Sequence, residues 1–217
     1  MIKSVLRFFY WHIYKQDNFS QGNEEQVLQS IFSKTKNGFY VDVGCHHPKR
    51  FSNTALLYKQ GWKGINIDAN SKNLKLFNFF RKRDFNIRAL VSKSKTILDY
   101  YYFNDSALNG CLSKSKIDIL LNENYKIINT EKISTRRLDD IISEFKVNNN
   151  KIDLLDIDVE GHDFQVLQSI DLDLYDVRVI LIETGEQENA IIEYLFKFNY
   201  FLHTRVDRNC IFLKKVI

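Results

Sequence analysis

Apolar and polar positions change period repeatedly along this sequence, and each change marks a strand giving way to a helix. Val27, Leu28, Ile31 and Phe32 recur at helical spacing within residues 23–33, and Asn23 stands where a cap is needed. Phe39-Tyr40-Val41-Asp42-Val43-Gly44 is a short apolar run ending in a turn, which predicts a buried strand. Thr54 to Gln60 predicts a helix capped by Ser52 or Asn53 and stopped at Gly61. Gly64 to Asp68 predicts a second strand, Asn73 to Arg81 a helix and Ile87 to Ser92 a third strand. Lys and Arg at 81–83 read as a solvated helix end.

The texture then changes. Thr96 to Phe103 reads as an exposed, aromatic-rich strand, and residues 104–130 are polar and irregular, which suggests a lid or substrate loop. Residues 96–130 are therefore expected to form an insertion on the substrate side. Alternation returns with a helix at Leu138 to Phe145, a strand at Lys151 to Asp158, a helix at Phe164 to Ile170 and a strand at Val177 to Glu183. A helix at Ala190 to Phe198 and a hairpin from Tyr200 to Lys214 close the chain. Strands alternating with helices predict an α/β fold whose mostly parallel sheet is covered on both faces.

With 217 residues, no internal repeat and Pro48 as its only proline, the chain reads as one domain with a proper core. The net charge of +4 is mild, and no basic stripe carries spaced aromatics, so no nucleic-acid partner is expected. Cys45, Cys111 and Cys210 are far apart and show no zinc spacing, which suits a reducing compartment. No stretch reaches the roughly 20 apolar residues of a membrane span, and a cytoplasmic location is expected. Ile2, Leu6, Phe9 and Ile13 share one helical face, so residues 1–19 predict an aromatic helix. That face would pack on the core or on a second copy, making a homodimer plausible; its cations also suit a membrane surface.

In folds of this class ligands sit beyond the carboxyl ends of the strands. Asp42 lies in the first strand, Asp68 ends the second, and Asp156 and Asp158 end a later one. One β-α-β unit separates Asp42 from Asp68, which places Asp68 to accept both hydroxyls of a ribose. The turn Gly44-Cys45-His46-His47-Pro48-Lys49-Arg50 has a single glycine. A pyrophosphate needs G-x-G-x-x-G, so an NAD-dependent oxidoreductase or epimerase is the weaker reading and S-adenosylmethionine the stronger.

The run Ile157-Asp158-Val159-Glu160-Gly161-His162-Asp163 resembles the hallmark of the FkbM family of S-adenosylmethionine-dependent methyltransferases, with Asp163 where the family usually has Glu. The likeness continues at Ser20-Gln21, at Tyr40 to Gly44, and at His47-Pro48 followed by Ser52-Asn53-Thr54. It extends to Gly61-Trp62-Lys63-Gly64-Ile65-Asn66-Ile67-Asp68 and to Thr135-Arg136-Arg137-Leu138-Asp139-Asp140, and so spans roughly residues 20–185. The resemblance implies a Rossmann-like, doubly wound class I methyltransferase fold with a C-terminal antiparallel hairpin. It also implies that Asp42 and Gly44 line the methionine end of the cofactor, that Asp68 holds the ribose and that Leu90 and Val91 lie near the adenine. Asp158 and Glu160 would face the transferred methyl or the acceptor. Many relatives look like parts of surface-polysaccharide pathways, so the acceptor is expected to be a hydroxyl of a sugar, sugar nucleotide or polysaccharide.

A sugar hydroxyl is a poor nucleophile, so a carboxylate, a histidine or a divalent ion must help remove its proton. Asp158, Glu160 and His162 are the catalytic candidates, and His46 is a candidate on the cofactor side. Asp158 and Glu183 end neighbouring strands and can share Mg²⁺ or Mn²⁺, with His162 adding nitrogen for Mn²⁺ or Fe²⁺. Plainer readings stand beside these. Asp156 and Asp158 can cap the next helix, and adjacent His46 and His47 diverge, so one of them packs or hydrogen-bonds. His203 and Cys45 suit structural roles, and Tyr100 to Phe103 can pack a strand or stack on a sugar ring. A non-catalytic binding protein on the same fold is the remaining alternative.

Overall fold

The computed structural model describes residues 19–105, 108–111, 114–145, 147 and 150–215. The expected N-terminal helix, and with it the dimer face, falls almost wholly outside these residues. Ten strands are present among them: β1 (Phe39–Val43), β2 (Lys63–Asp68), β3 (Phe85–Arg88), β4 (Leu90–Val91), β5 (Ile97–Phe103), β6 (Ile127–Arg136), β7 (Lys151–Ile157), β8 (Asp176–Glu183), β9 (Tyr200–Val206) and β10 (Asn209–Lys214). The helices are α1 (Glu24–Ile31), α2 (Ala55–Lys59), α3 (Ser71–Phe80), α4 (Lys114–Asn122), α5 (Leu138–Ser143), α6 (Asp163–Leu167) and α7 (Glu188–Lys197).

Seven strands form one sheet in the order β3-β2-β1-β7-β8-β10-β9. The first five are parallel, and β10 runs antiparallel to both β8 and β9. This is the doubly wound sheet with a closing hairpin. β1 leads outward to β2 on one side and lies against β7 on the other, so the order reverses at the carboxyl ends of β1 and β7. A crevice must open there.

Both faces of the sheet are covered, which is why β1, β7 and β8 are apolar almost throughout. Val41, Val43, Leu155, Ile157, Ile180 and Ile182 face one core with Leu138, Ile141 and Val166. Tyr40, Leu154, Val179 and Leu181 face the other, with Leu28, Leu57 and Trp62. Register pairs Asp42 with Asp156 across β1 and β7 on this second side. Two carboxylates are thus neighbours in the interior.

Four expectations need correction. The stretch from Ile87 to Ser92 is not one strand: β3 ends at Arg88, and β4 leaves for a separate three-stranded sheet of order β4-β6-β5. Residues 104–130 are not wholly irregular, since they contain α4 and the start of β6. Neither Ser52 nor Asn53 caps α2; its N-cap is Thr54, which makes no side-chain cap bond because its hydroxyl donates to Asp42 instead. Asn23 likewise makes no side-chain cap bond.

Candidate active site

The crevice between β1 and β7 holds a cleft enclosing about 770 Å³, open mouth included. Gly44, His46, Asp68, Leu90, Val91, Asp158, Glu160 and His162 all line it. Eight positions singled out in the sequence therefore meet in one place. Asp42 does not join them. It is only 5% exposed and lies two residues before Gly44, with its carboxylate turned to Thr54 at 2.6 Å. Burial, with Asp84 and Asp68 adding like charge, pushes its pKa up to about 6. Asp156 is pushed well above the usual carboxylate range by burial and by Asp42, and its carboxylate accepts a bond from Asn53 at 3.3 Å. Neither Asp156 nor Asp158 caps the helix after β7, whose N-cap is His162.

The turn after β1 is held in an unusual shape. Gly44, His46 and Phe51 have φ of +88°, +47° and +56°, a region that costs non-glycine residues energy and recurs at functional sites. Asp68 braces the turn. Its Oδ2 accepts from the His46 backbone at 3.0 Å and from Asn73 at 2.9 Å, and its Oδ1 accepts from the Asn70 backbone at 2.7 Å. Burial lowers the His46 pKa, so its ring is neutral. His47 acts within the turn itself. Its Nδ1 accepts from the backbones of Lys49 and Arg50, and burial takes its pKa down to about 4. Of the adjacent histidines, one lines the cleft and the other ties the turn.

Beyond Asp68 the wall turns apolar. Ala69, Leu90 and Tyr100 pack together, with Cys111 against them. Tyr100, Asn109, Gly110 and Cys111 come from the insertion, so this segment walls the Asp68 and Leu90 end of the cleft. The sequence pattern assigned none of them this place.

The opposite wall is the turn after β7. Glu160 and Gly161 have φ of +59° and +97°, and Asp163 holds the bend by accepting from the Val159 and Gly161 backbones at 2.9 and 2.8 Å. Burial raises the Asp163 pKa to about 7. Asp158 accepts no hydrogen bond from any described side chain or amide, and burial pushes it well above the carboxylate range, with Glu183, Glu160 and Asp163 adding repulsion. Burial and Glu183 also raise Glu160, against Lys116 at 3.4 Å. His162 Nε2 lies 3.0 Å from Ser92 Oγ, and burial keeps the ring neutral.

Behind Asp158 and Glu160 lies a second recess of about 560 Å³, lined also by Gln21, Glu24, Glu183, Asp207, Arg208 and Asn209. Asn209 Nδ2 donates to Glu24 at 2.8 Å, while its buried Oδ1 has no hydrogen-bond partner. Asp158, Asp163 and Glu183 bring carboxylate oxygens within 4.8 Å of one another. His162 is not in that group.

The sequence matches the methyltransferase FkbM domain over residues 42–205. The chain belongs to the FkbM methyltransferase family. No curated protein matches it in sequence. Among solved structures, this FkbM methyltransferase is similar to a TehB-like S-adenosylmethionine-dependent methyltransferase from Corynebacterium glutamicum. That likeness has 11% identity and a TM-score of 0.45, and covers 98% of this chain and 96% of the other. It is also similar to a candidate RNA methyltransferase from Pyrococcus horikoshii, at 10% identity and TM-score 0.43 over 89% and 84% of the two chains. The FkbM assignment makes the chain a methyltransferase, implies S-adenosyl-L-methionine as its methyl donor, and sets aside the NAD-dependent and non-catalytic readings. Among the described residues, no helix of the enzyme is long and apolar enough to cross a membrane.

Proposed function

We propose that the enzyme methylates a hydroxyl of a saccharide, with the donor in the cleft and the acceptor in the recess behind Asp158. One observation carries this reading: the carboxylate of Asp158, without a hydrogen-bond partner among the described residues, stands on the wall that both cavities share.

The donor fits the cleft. Asp68 Oδ1 accepts one hydrogen bond and keeps a lone pair for a ribose hydroxyl. Ala69, Leu90, Val91, Tyr100 and Cys111 offer an apolar slot for a flat base, and His46 and Gly44 flank the methionine end. When bound, S-adenosylmethionine supplies a methyl on a sulfonium, which passes to the acceptor oxygen as the sulfur leaves as a thioether. Asp158 receives the hydroxyl proton. Its raised pKa makes its ionised form a stronger base than an ordinary carboxylate. Glu160, Glu183 and the free Asn209 Oδ1 are acceptors, which suits a ligand rich in hydroxyl donors. His162, fixed by Ser92, orients rather than titrates.

A second reading is favoured by the close approach of Asp158, Asp163 and Glu183. A divalent ion there, Mg²⁺ or Mn²⁺, would acidify the hydroxyl directly. Asp163 has already given both oxygens to backbone amides, so Asp158 and Glu183 would carry it. His162 would need to leave Ser92 to add the nitrogen ligand that Mn²⁺ or Fe²⁺ accepts.

The test pairs binding with turnover. Calorimetric titration with S-adenosylhomocysteine should give binding, and radiolabelled methyl transfer to a panel of sugars, sugar nucleotides and glycans should give base-stable O-methyl ethers by NMR. Binding with transfer only to nitrogen acceptors would overturn the hydroxyl reading.

A further inference from the structure

The arginine that ends α3 is not at a solvated helix end. Arg81 is 0% exposed, and its guanidinium stacks 4.9 Å from the Phe77 ring centre. Each nitrogen donates at least once to the segment after β1, and Nη1 also reaches the Tyr40 hydroxyl at 3.4 Å and Asn66 Oδ1 at 3.3 Å. Nε and Nη2 both donate to the Pro48 carbonyl, at 3.0 and 2.8 Å. Nη2 also donates to Ser52 Oγ and Nη1 to Thr54 Oγ1, each at 2.7 Å. The Thr54 hydroxyl in turn donates to Asp42 at 2.6 Å. The charge is balanced at one remove, through Thr54 to Asp42 and through Tyr40 to Asp84, whose Oδ2 accepts from the Tyr40 hydroxyl at 2.5 Å.

Burying a guanidinium is costly unless each donor is satisfied. Here the shortest bonds go to Pro48, Ser52 and Thr54, in the segment that follows left-handed backbone at Gly44 and His46 and contains it at Phe51. Gly44, His46 and Phe51 also line the cleft. A planar fork spreads its five donors over three nitrogens, so it holds the Pro48 carbonyl with two of them and reaches two separated hydroxyls as well; a lysine has its three donors on a single nitrogen.

We infer that Arg81 is a positioning residue for the methyl donor. It pre-shapes the turn from Gly44 to Ser52, so that donor binding does not have to order that turn. The inference rests on the reading that the cleft takes the donor.

The test measures S-adenosylhomocysteine affinity by calorimetry and unfolding temperature without ligand, on the full chain. Arg81→Lys should raise Kd by at least about tenfold, and Ser52→Ala and Thr54→Val should each raise it by about threefold, because the turn must then be ordered on binding. Tyr200→Phe is the control. It removes a buried 2.6 Å bond to the Val177 carbonyl, far from the cleft, and should lower the unfolding temperature with Kd unchanged. If the Arg81, Ser52 and Thr54 variants lose stability as this control does, and keep wild-type Kd, the positioning role is overturned. Should Arg81→Lys fail to fold, the two single-arm variants decide alone. Absence of binding by the wild type would instead strike at the donor-cleft reading, and this inference would fall with it.

Discussion

Gly44 and Asp158 meet where β1 and β7 end: a Cβ at position 44 would lie 1.8 Å from the Asp158 carbonyl oxygen. With its φ of +88°, Gly44 is doubly constrained, by handedness and by contact. The turn after β1 and the strand end that carries Asp158 are therefore one packed unit. Gly44→Ala must part them. We expect a loss of about 2–4 kcal/mol in stability and no measurable methyl transfer, checked by thermal unfolding and by radiolabelled turnover. A variant with wild-type turnover would refute the coupling.

Asp68→Ala should weaken S-adenosylhomocysteine binding by about 10–100-fold, because a hydrogen bond to a charged group contributes about 1.5–3 kcal/mol. Part of that loss would come through His46, whose amide Asp68 also holds. Calorimetry decides; an unchanged Kd removes Asp68 from the site.

Asp158→Asn should cut kcat by about 10²–10⁴-fold, the usual worth of a positioned base, with donor Kd nearly unchanged. Equal losses in both would assign Asp158 to donor binding. Its pKa in the folded enzyme is raised, so the acidic limb of the pH–kcat profile should lie above the range of an ordinary carboxylate. Glu183→Gln removes a like charge beside it and should move that limb to lower pH. A limb that stays put would show that Asp158 is not the titrating group.

Excess chelator separates the two accounts of proton removal. With Asp158 as the base, turnover survives chelation. Loss of activity that Mn²⁺ or Mg²⁺ restores would select the ion on Asp158 and Glu183.

Stability should also depend on pH through Asp42. Its pKa rises on folding, from 3.8 to about 6, so the folded chain holds a proton that the unfolded chain has lost. That contribution is fully present below pH 3.8 and is lost as pH rises through about 6. The unfolding temperature of Asp42→Asn should therefore fall less than that of wild type between about pH 4 and about pH 7. Parallel profiles would count against a buried, protonated Asp42.

The sheet was legible because its strands are buried on both faces and so read as apolar runs: Phe39–Val43, Lys151–Ile157 and Asp176–Glu183. Strand-end acids located the crevice for the same reason, since a carboxylate closing such a run has few other places to be. What stayed hidden lacked a local signal. β6 is solvent-facing over most of its length, so no alternation betrays it. Arg81 sits beside Lys82 and Arg83, in a run that looks solvated, and only the fold brings Pro48, Ser52 and Thr54 around it. The family resemblance implies Asp42 on the cofactor, yet a strand residue's side chain points to one face, and here that face meets Thr54.

β6 pairs along most of its length with β5 and at Thr135–Arg136 with Leu90–Val91. One ribbon thus joins the insertion to the Leu90–Val91 wall of the cleft. If the cleft takes the donor as proposed, exchanging this insertion for that of another family member would transplant part of the donor's berth along with any acceptor preference. Chimeras built to change what is methylated would have to be re-tuned for the molecule that gives up the methyl.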